Sequence, residues 1–375
     1  MTIYAVYYVF IILFFYLSGH VVFRSHTANQ INHDTPVVEP AYSGRKASSE
    51  RFYVNICIIV LLTIVGLRSQ YMGRDLPGYL NSYDIIGMRP WQWFTRFESF
   101  LNYEKGFVLW MKICHTISPK RQFFLFACAA ISMYPFAKMF YTKSRNTLLS
   151  IIVLLGTPIF PMFFSALRQG ISLGIIGIAY IKIQEKKPVH FLALVIFASL
   201  FHSSALIFLL AYPVYWVKLK KHTAIASAVF LPVLFVLRIP IFGLMTKLFY
   251  TNARPDYNDS SRYFIFLALI YIFCVIVRNR GNDHFGGLSN IFFVGCAIQS
   301  MGGVYSIVIR LALYYLLSMT LLIPELVKVL KEHQDRRLTA FIITVIYLAF
   351  IAFGLYSIRT TSWSMCYPYL FYWEV

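Results

Sequence analysis

The chain has 375 residues, of which 59% are hydrophobic and only 13% charged. A soluble domain carries about 25% charged residues and lacks recurring uncharged runs of about 20, the length that crosses a bilayer, so this composition excludes a soluble protein and defines a polytopic helical membrane protein. The net charge of +19 is scattered between apolar stretches rather than gathered on one face, which argues against nucleic acid as a partner and marks loops on the basic side of a membrane.

Residues 3–23 form the first expected span. The start lacks a basic leader and a small-residue cleavage site, so it reads as a retained helix rather than a removed signal. The polar stretch 24–51 follows as a cytoplasmic linker, then a span at 52–67. The segment 68–121 breaks the apolar pattern and reads as a long loop, interrupted by Gly73, Pro77, Gly78 and Pro90. Within it Phe107, Trp110 and Met111 stand at helical spacing and mark an amphipathic interfacial helix near 103–113. Further spans are expected at 122–141, 147–164, 166–182, 189–201, 203–217, 222–240, 262–278, 288–306, 309–329 and 338–357. The fold class is therefore all-α: a transmembrane helical bundle of about 10–12 spans, one integral membrane domain over residues 1–375.

The uncharged stretch 188–217 would be about 45 Å long as one helix, against a hydrocarbon core of about 30 Å. It is either one tilted span or a hairpin whose apex is the polar break at His202, Ser203 and Ser204. Orientation decides between them. Basic clusters occur at Lys138, Lys143 and Arg145; at Lys182, Lys186 and Lys187; at Lys218, Lys220 and Lys221; at Arg278 and Arg280; and from Lys328 to Arg337. Only the hairpin puts all five on one side, as short cytoplasmic loops require. The loop 68–121, the approach to Arg168, the His202 apex and the C-terminal tail then share the outer side.

No close cysteine pair, zinc pattern or phosphate-binding glycine loop is present among the six cysteines and the loops, so no metal or cofactor is expected. The chemistry-bearing residues fall on the outer side. Arg168 is the only formal charge between Thr147 and Ile181, and an ionised side chain at that depth is a functional-site hypothesis by default. Its guanidinium fork suits phosphate oxygens, and Gln169 follows it. Gly170, Gly174 and Gly177 would let a neighbouring helix come close. His202 interrupts another uncharged run and suits proton transfer, although a lone histidine among apolar residues is more often a satisfied core residue. Arg74 and Asp75 lie in a turn near Tyr79, where the bland reading is a solvated loop and the functional one a carboxylate serving a sugar hydroxyl. Glu104 heads the amphipathic helix as a dipole-satisfying residue, as a structural partner for Arg168, or as a carboxylate facing a cavity. Arg310 is a fifth candidate, and Tyr369 either lines the cavity or belongs to the interfacial aromatic belt. Together these groups suit a ligand with a diphosphate head, stacking sugars and a lipid tail.

With Gly73-Arg74-Asp75 and Tyr79, Glu104-Lys105-Gly106, Arg168-Gln169-Gly170, residues 200–205 around His202, and Tyr367-Pro368-Tyr369 in this order, the chain resembles the EpsG family of polysaccharide polymerases, related in role to the Wzy O-antigen polymerases. The resemblance implies a multi-pass glycosyltransferase of the bacterial inner membrane with its active site facing the periplasm. It implies transfer of a growing glycan from undecaprenyl pyrophosphate to a hydroxyl of the next lipid-linked repeat unit. By the same resemblance Arg168 would hold the donor diphosphate with help from Arg310, and His202, Asp75 or Glu104 would activate the acceptor. Expected partners are the lipid-linked oligosaccharide, the bilayer and a chain-length regulator protein. The competing readings are a flippase of lipid-linked glycans, which should show symmetry between halves, and a membrane acyltransferase using His202 as base.

Overall fold

Inside a bilayer each backbone N–H and C=O must be satisfied within the protein, so long apolar runs fold as helices. The computed structural model describes residues 2–20, 44–95, 103–248, 254–257, 261–333, 335–361 and 364–374, and among these described residues 81% are helical and none forms a strand. The helices are α1 (Thr2–Phe15, extended by a π-turn at Tyr16–His20), α2 (Gly44–Gly66), α3 (Leu76–Met88), α4 (Trp91–Thr95), α5 (Lys105–Ile117), α6 (Arg121–Lys143), α7 (Thr147–Leu155), α8 (Ile159–Ser165) and α9 (Leu167–Gln184). They continue as α10 (Pro188–Ser199), a 3₁₀ segment Ser203–Leu210, α11 (Ala211–Trp216), α12 (Lys221–Val236), α13 (Arg238–Leu248), α14 (Ser261–Val277), α15 (Asp283–Ser300), α16 (Ile307–Leu316), α17 (Met319–His333) and α18 (Arg336–Thr360).

The all-helical membrane bundle is as expected, but its spans are less regular. Among the described residues, four helices are long and apolar enough to cross a membrane, or up to seven if each bent pair is one span. The run expected as 147–164 is the pair α7 and α8, bent by 58°; 222–240 is nearly all of α12 and the start of α13, a pair bent by 77°; 309–329 falls on α16 and α17, bent by 44°. Breaks of this kind free backbone groups and side chains near helix ends, and the one between α7 and α8, at Pro158, borders the cavity described below.

Helix α6 packs between α2 and α9, and α9 in turn carries α10. The expected role of the α9 glycines holds: Cβ atoms at Gly174 and Gly177 would meet Ser132 and Phe136 of α6. Helices α15, α16 and α17 pack together, with α7 and α18 against α17. Helix α2 begins at Gly44, so the end of the stretch read as a linker is helical, and its residues 24–43 lie outside the described residues. The long loop 68–121 is also mostly helical where described. Pro77 stands in the first turn of α3 instead of breaking a chain, because a first-turn proline lacks only an N–H that would go unused. Gly73, at φ +125°, makes the turn before it. The amphipathic helix is present as α5, which buries Phe107 and Met111 and half-buries Trp110.

The stretch 188–217 is a hairpin. Phe191 on α10 lies 5.9 Å from Phe208 and 5.3 Å from Tyr212 on the returning arm, and Lys186 reaches within 4.9 Å of the Trp216 ring. The basic loops consequently meet at one end of the bundle. Lys143 faces Glu185 at 3.9 Å, Lys218 pairs with Asp283 at 2.9 Å, and Arg145 pairs with Glu325 at 3.0 Å. Asn282 donates to the same Glu325 at 3.2 Å. The opposite end carries α3, α5, the α8–α9 break and the hairpin apex.

Candidate functional site

At that opposite end three segments converge on one carboxylate. Arg168 stands in the first turn of α9, just past the Ala166 break. Glu104 is the N-cap residue of α5 and does not cap it with its side chain; its oxygens go elsewhere. Oε2 accepts from Arg168 Nη1 at 2.6 Å. Oε1 accepts from the Ser203 N–H at 2.9 Å and stands 3.3 Å from His202 Nδ1. Close backbone approach makes this possible. The Gly106 N–H donates to Leu200 O at 2.9 Å, and a Cβ on Gly106 would fall 2.7 Å from that same oxygen. Only glycine lets α5 dock this tightly on the hairpin apex.

Burial acts to raise the Glu104 pKa, but hydrogen bonds from His202, the Ser203 N–H and its own backbone N–H, with the Arg168 charge, outweigh it. The carboxyl falls from 4.5 to about 2. It is therefore ionised at neutral pH, and a carboxylate facing Nδ1 favours the imidazole tautomer with Nδ1 protonated. That tautomer leaves His202 Nε2 with a free lone pair. Arg168 is held as firmly: Nε donates to Tyr79 OH at 3.3 Å, and its guanidinium lies 4.9 Å from the Tyr103 ring and 5.9 Å from the Tyr79 ring. Its Nη2 has no hydrogen-bond partner among the described residues.

The remaining candidates lie around a neighbouring cavity of about 830 Å³. Arg74, Asp75 and Arg310 line it. Arg310 Nη2 is 3.9 Å from Asp75 Oδ2, a loose pair with the guanidinium 43% exposed. The two groups of candidates are tied at two points. Gln169 Nε2 donates to Arg310 O at 2.6 Å, and the Asp75 N–H donates to Ser165 Oγ at 3.2 Å, three residues before Arg168. Arg168, Glu104 and His202 themselves do not line this cavity, which is a departure from the single chamber expected.

Tyr369 also stands apart. Its hydroxyl donates to Ile64 O at 2.6 Å and its ring packs 6.0 Å from Tyr4, so it fastens the C-terminal tail to α1 and α2 and lines no part of the cavity. Sequence reasoning missed Asp256, Arg262, Tyr263 and Gln299, which line the cavity as well. Charges flanking an apolar run could have flagged Arg262; nothing local distinguishes Gln299. No group of three or more His, Cys, Asp or Glu that could hold a metal occurs among the described residues.

A bent-helix membrane bundle with a basic, partly aromatic cavity opposite its basic loops is the setting in which the comparisons with known proteins fall. The EpsG family model matches residues 51–371, most of the chain and every residue of the site, and the chain belongs to the EpsG family. Membership supports a polysaccharide-polymerase-type function for this multi-pass membrane protein. No curated relative and no solved structure matches the chain.

Proposed function

We propose that the protein is a glycosyltransferase that lengthens a lipid-linked glycan at the periplasmic face of the inner membrane. The donor is a glycan on undecaprenyl pyrophosphate, and the acceptor is a hydroxyl of the next lipid-linked repeat unit. The observation that carries the reading is one carboxylate, Glu104, joined to both Arg168 and His202 at the end of the bundle away from the basic loops.

In this reading the acceptor oxygen attacks the anomeric carbon while the bond to the diphosphate oxygen breaks. The leaving undecaprenyl pyrophosphate carries away the electron pair. His202 Nε2 takes the hydroxyl proton, and Glu104 orients the ring and stabilises the imidazolium that forms. Arg168, clamped through Nη1 and Nε, offers Nη2 to the diphosphate, and Arg310 with Arg74 adds charge from the cavity side. Asp75 positions Arg310. Preorganised charge of this kind is commonly the largest catalytic contribution, with a single donor worth about 10²–10³ in rate. A chain-length regulator would act on product length and not on bond formation.

Reconstitution in liposomes with a purified undecaprenyl-pyrophosphate repeat unit tests the proposal. Longer glycans in the absence of any other protein are expected. Unchanged glycan length with altered sidedness of the lipid would refute it and identify a flippase.

A further inference from the structure

The cavity holds polar groups that the reaction above does not use. Gln299, in the last turn of α15, is 1% exposed, yet neither Nε2 nor Oε1 has a hydrogen-bond partner among the described residues. Tyr263, in the first turn of α14, is 7% exposed, and its hydroxyl is likewise unpartnered. Both line the same 830 Å³ cavity, from neighbouring helices. A buried primary amide has two donors and an accepting oxygen, and leaving all of them unused is costly and uncommon. Two such groups on residues that line one cavity mark a place where something else completes the hydrogen bonds.

The wall beside them narrows the ligand class. Phe353, which also lines the cavity, stacks on the Tyr263 ring with centroids 5.5 Å apart and planes 17° apart, so the wall there is aromatic. Arg310 stands at the same cavity with a half-exposed guanidinium. An aromatic face, an amide that both donates and accepts, a phenol and a nearby cation together match a sugar ring that adjoins a phosphate. Bare phosphate would need neither the aromatic face nor the amide oxygen, which repels an anion.

We propose that Gln299 and Tyr263 form a sugar subsite that reads hydroxyls of the residue next to the lipid diphosphate, with Gln299 as its specificity-determining side chain. The proposal rests on the polymerase reading for the identity of the lipid and adds to it a place where the repeat unit is recognised. A site built to bond a hydroxyl discriminates strongly against a ligand lacking it, because its own polar groups are then left unpaired.

The test uses Gln299→Met, which keeps the length and removes the amide. Binding of two probes to detergent-purified full-length protein is compared: bare undecaprenyl pyrophosphate, and the lipid-linked repeat unit extracted from cells lacking this protein. The expected result is a roughly 10- to 100-fold weaker affinity for the repeat unit, unchanged affinity for the bare diphosphate, and a melting temperature no lower than wild type. Unchanged repeat-unit affinity, equal weakening of both probes, or a wild type that binds the two probes equally would overturn it. Elongation assays on the same samples keep the two readings separate. A wild type that prefers the repeat unit but makes no polymer removes the polymerase and leaves the subsite; a variant that binds and elongates normally removes the subsite and leaves the polymerase.

Discussion

Glu104→Gln is the most informative single change, because one charge is removed from three partners while the shape is kept. The folded protein lowers the Glu104 carboxyl from 4.5 to about 2. Each tenfold change in proton affinity is worth about 1.4 kcal/mol, so the lowering amounts to about 3 kcal/mol, trimmed to about 2–3 kcal/mol by the solvent that reaches a side chain 17% exposed. With an unfolding entropy of about 2.1 cal/mol/K per residue, this corresponds to a fall in Tm of roughly 2–4 °C at pH 7. The sign with pH follows from the direction of the change. A lowered carboxyl stabilises fully above its unfolded value of 4.5, and that stabilisation is lost as pH falls towards about 2. Thermal unfolding in detergent across pH 7 to 2.5 should therefore show a gap between wild type and Glu104→Gln that is constant above about pH 5 and closes below 4.5. No gap at pH 7, or one that persists undiminished at pH 2.5, would refute the argument. Elongation should fall with it, by about 10²-fold or more, since the imidazole loses the group that fixes its tautomer.

The other expectations concern the same corner and the topology that creates it. Arg168→Ala and Arg168→Lys should both abolish elongation, because an ammonium does not span Glu104, Tyr79 and a phosphate at once; wild-type chain lengths from Arg168→Ala would remove this residue from the mechanism. His202→Ala should be severe in the same polymer-length assay, and His202→Gln milder if hydrogen bonding is the role, whereas equal loss in both identifies proton transfer. Gly106→Ala should lower both Tm and elongation by wedging α5 away from Leu200, and normal values for both would show that the close approach is dispensable. Single cysteines at Ser203 and Lys187 should react with an impermeant reagent from opposite sides in oriented vesicles. All six native cysteines are buried, so the background is low; reaction of both from one side would dismantle the hairpin.

The membrane bundle and the joining of Arg168 with His202 were legible because charge is so sparse in the apolar runs that each instance carries information. The basic clusters chose the hairpin, and the Phe191–Tyr212 contact lies where that choice puts it. The fine structure was less legible. Pro77 looks the same in a sequence whether it ends a segment or opens α3. The bends between α7 and α8 and between α16 and α17 leave hydropathy almost unaltered, since a broken span is as apolar as a straight one. Glu104 was read with three possible roles, and only coordinates show one carboxylate serving Arg168 and the hairpin together. Gln299 was invisible because its distinction is the lack of a partner, a property of the folded surroundings and not of the residue.

The brevity of α10 has a consequence for the lipid. Its 12 residues rise about 18 Å, well short of a hydrocarbon core of about 30 Å. On the orientation proposed above, and with its basic end at the headgroups, an arm this short stops the His202 apex below the outer headgroup level, and the leaflet thins there. Acyl chains resist such thinning, at a modest cost per ångström of mismatch. A depression of this kind favours lipids whose tails accommodate it, before any sugar or phosphate is touched.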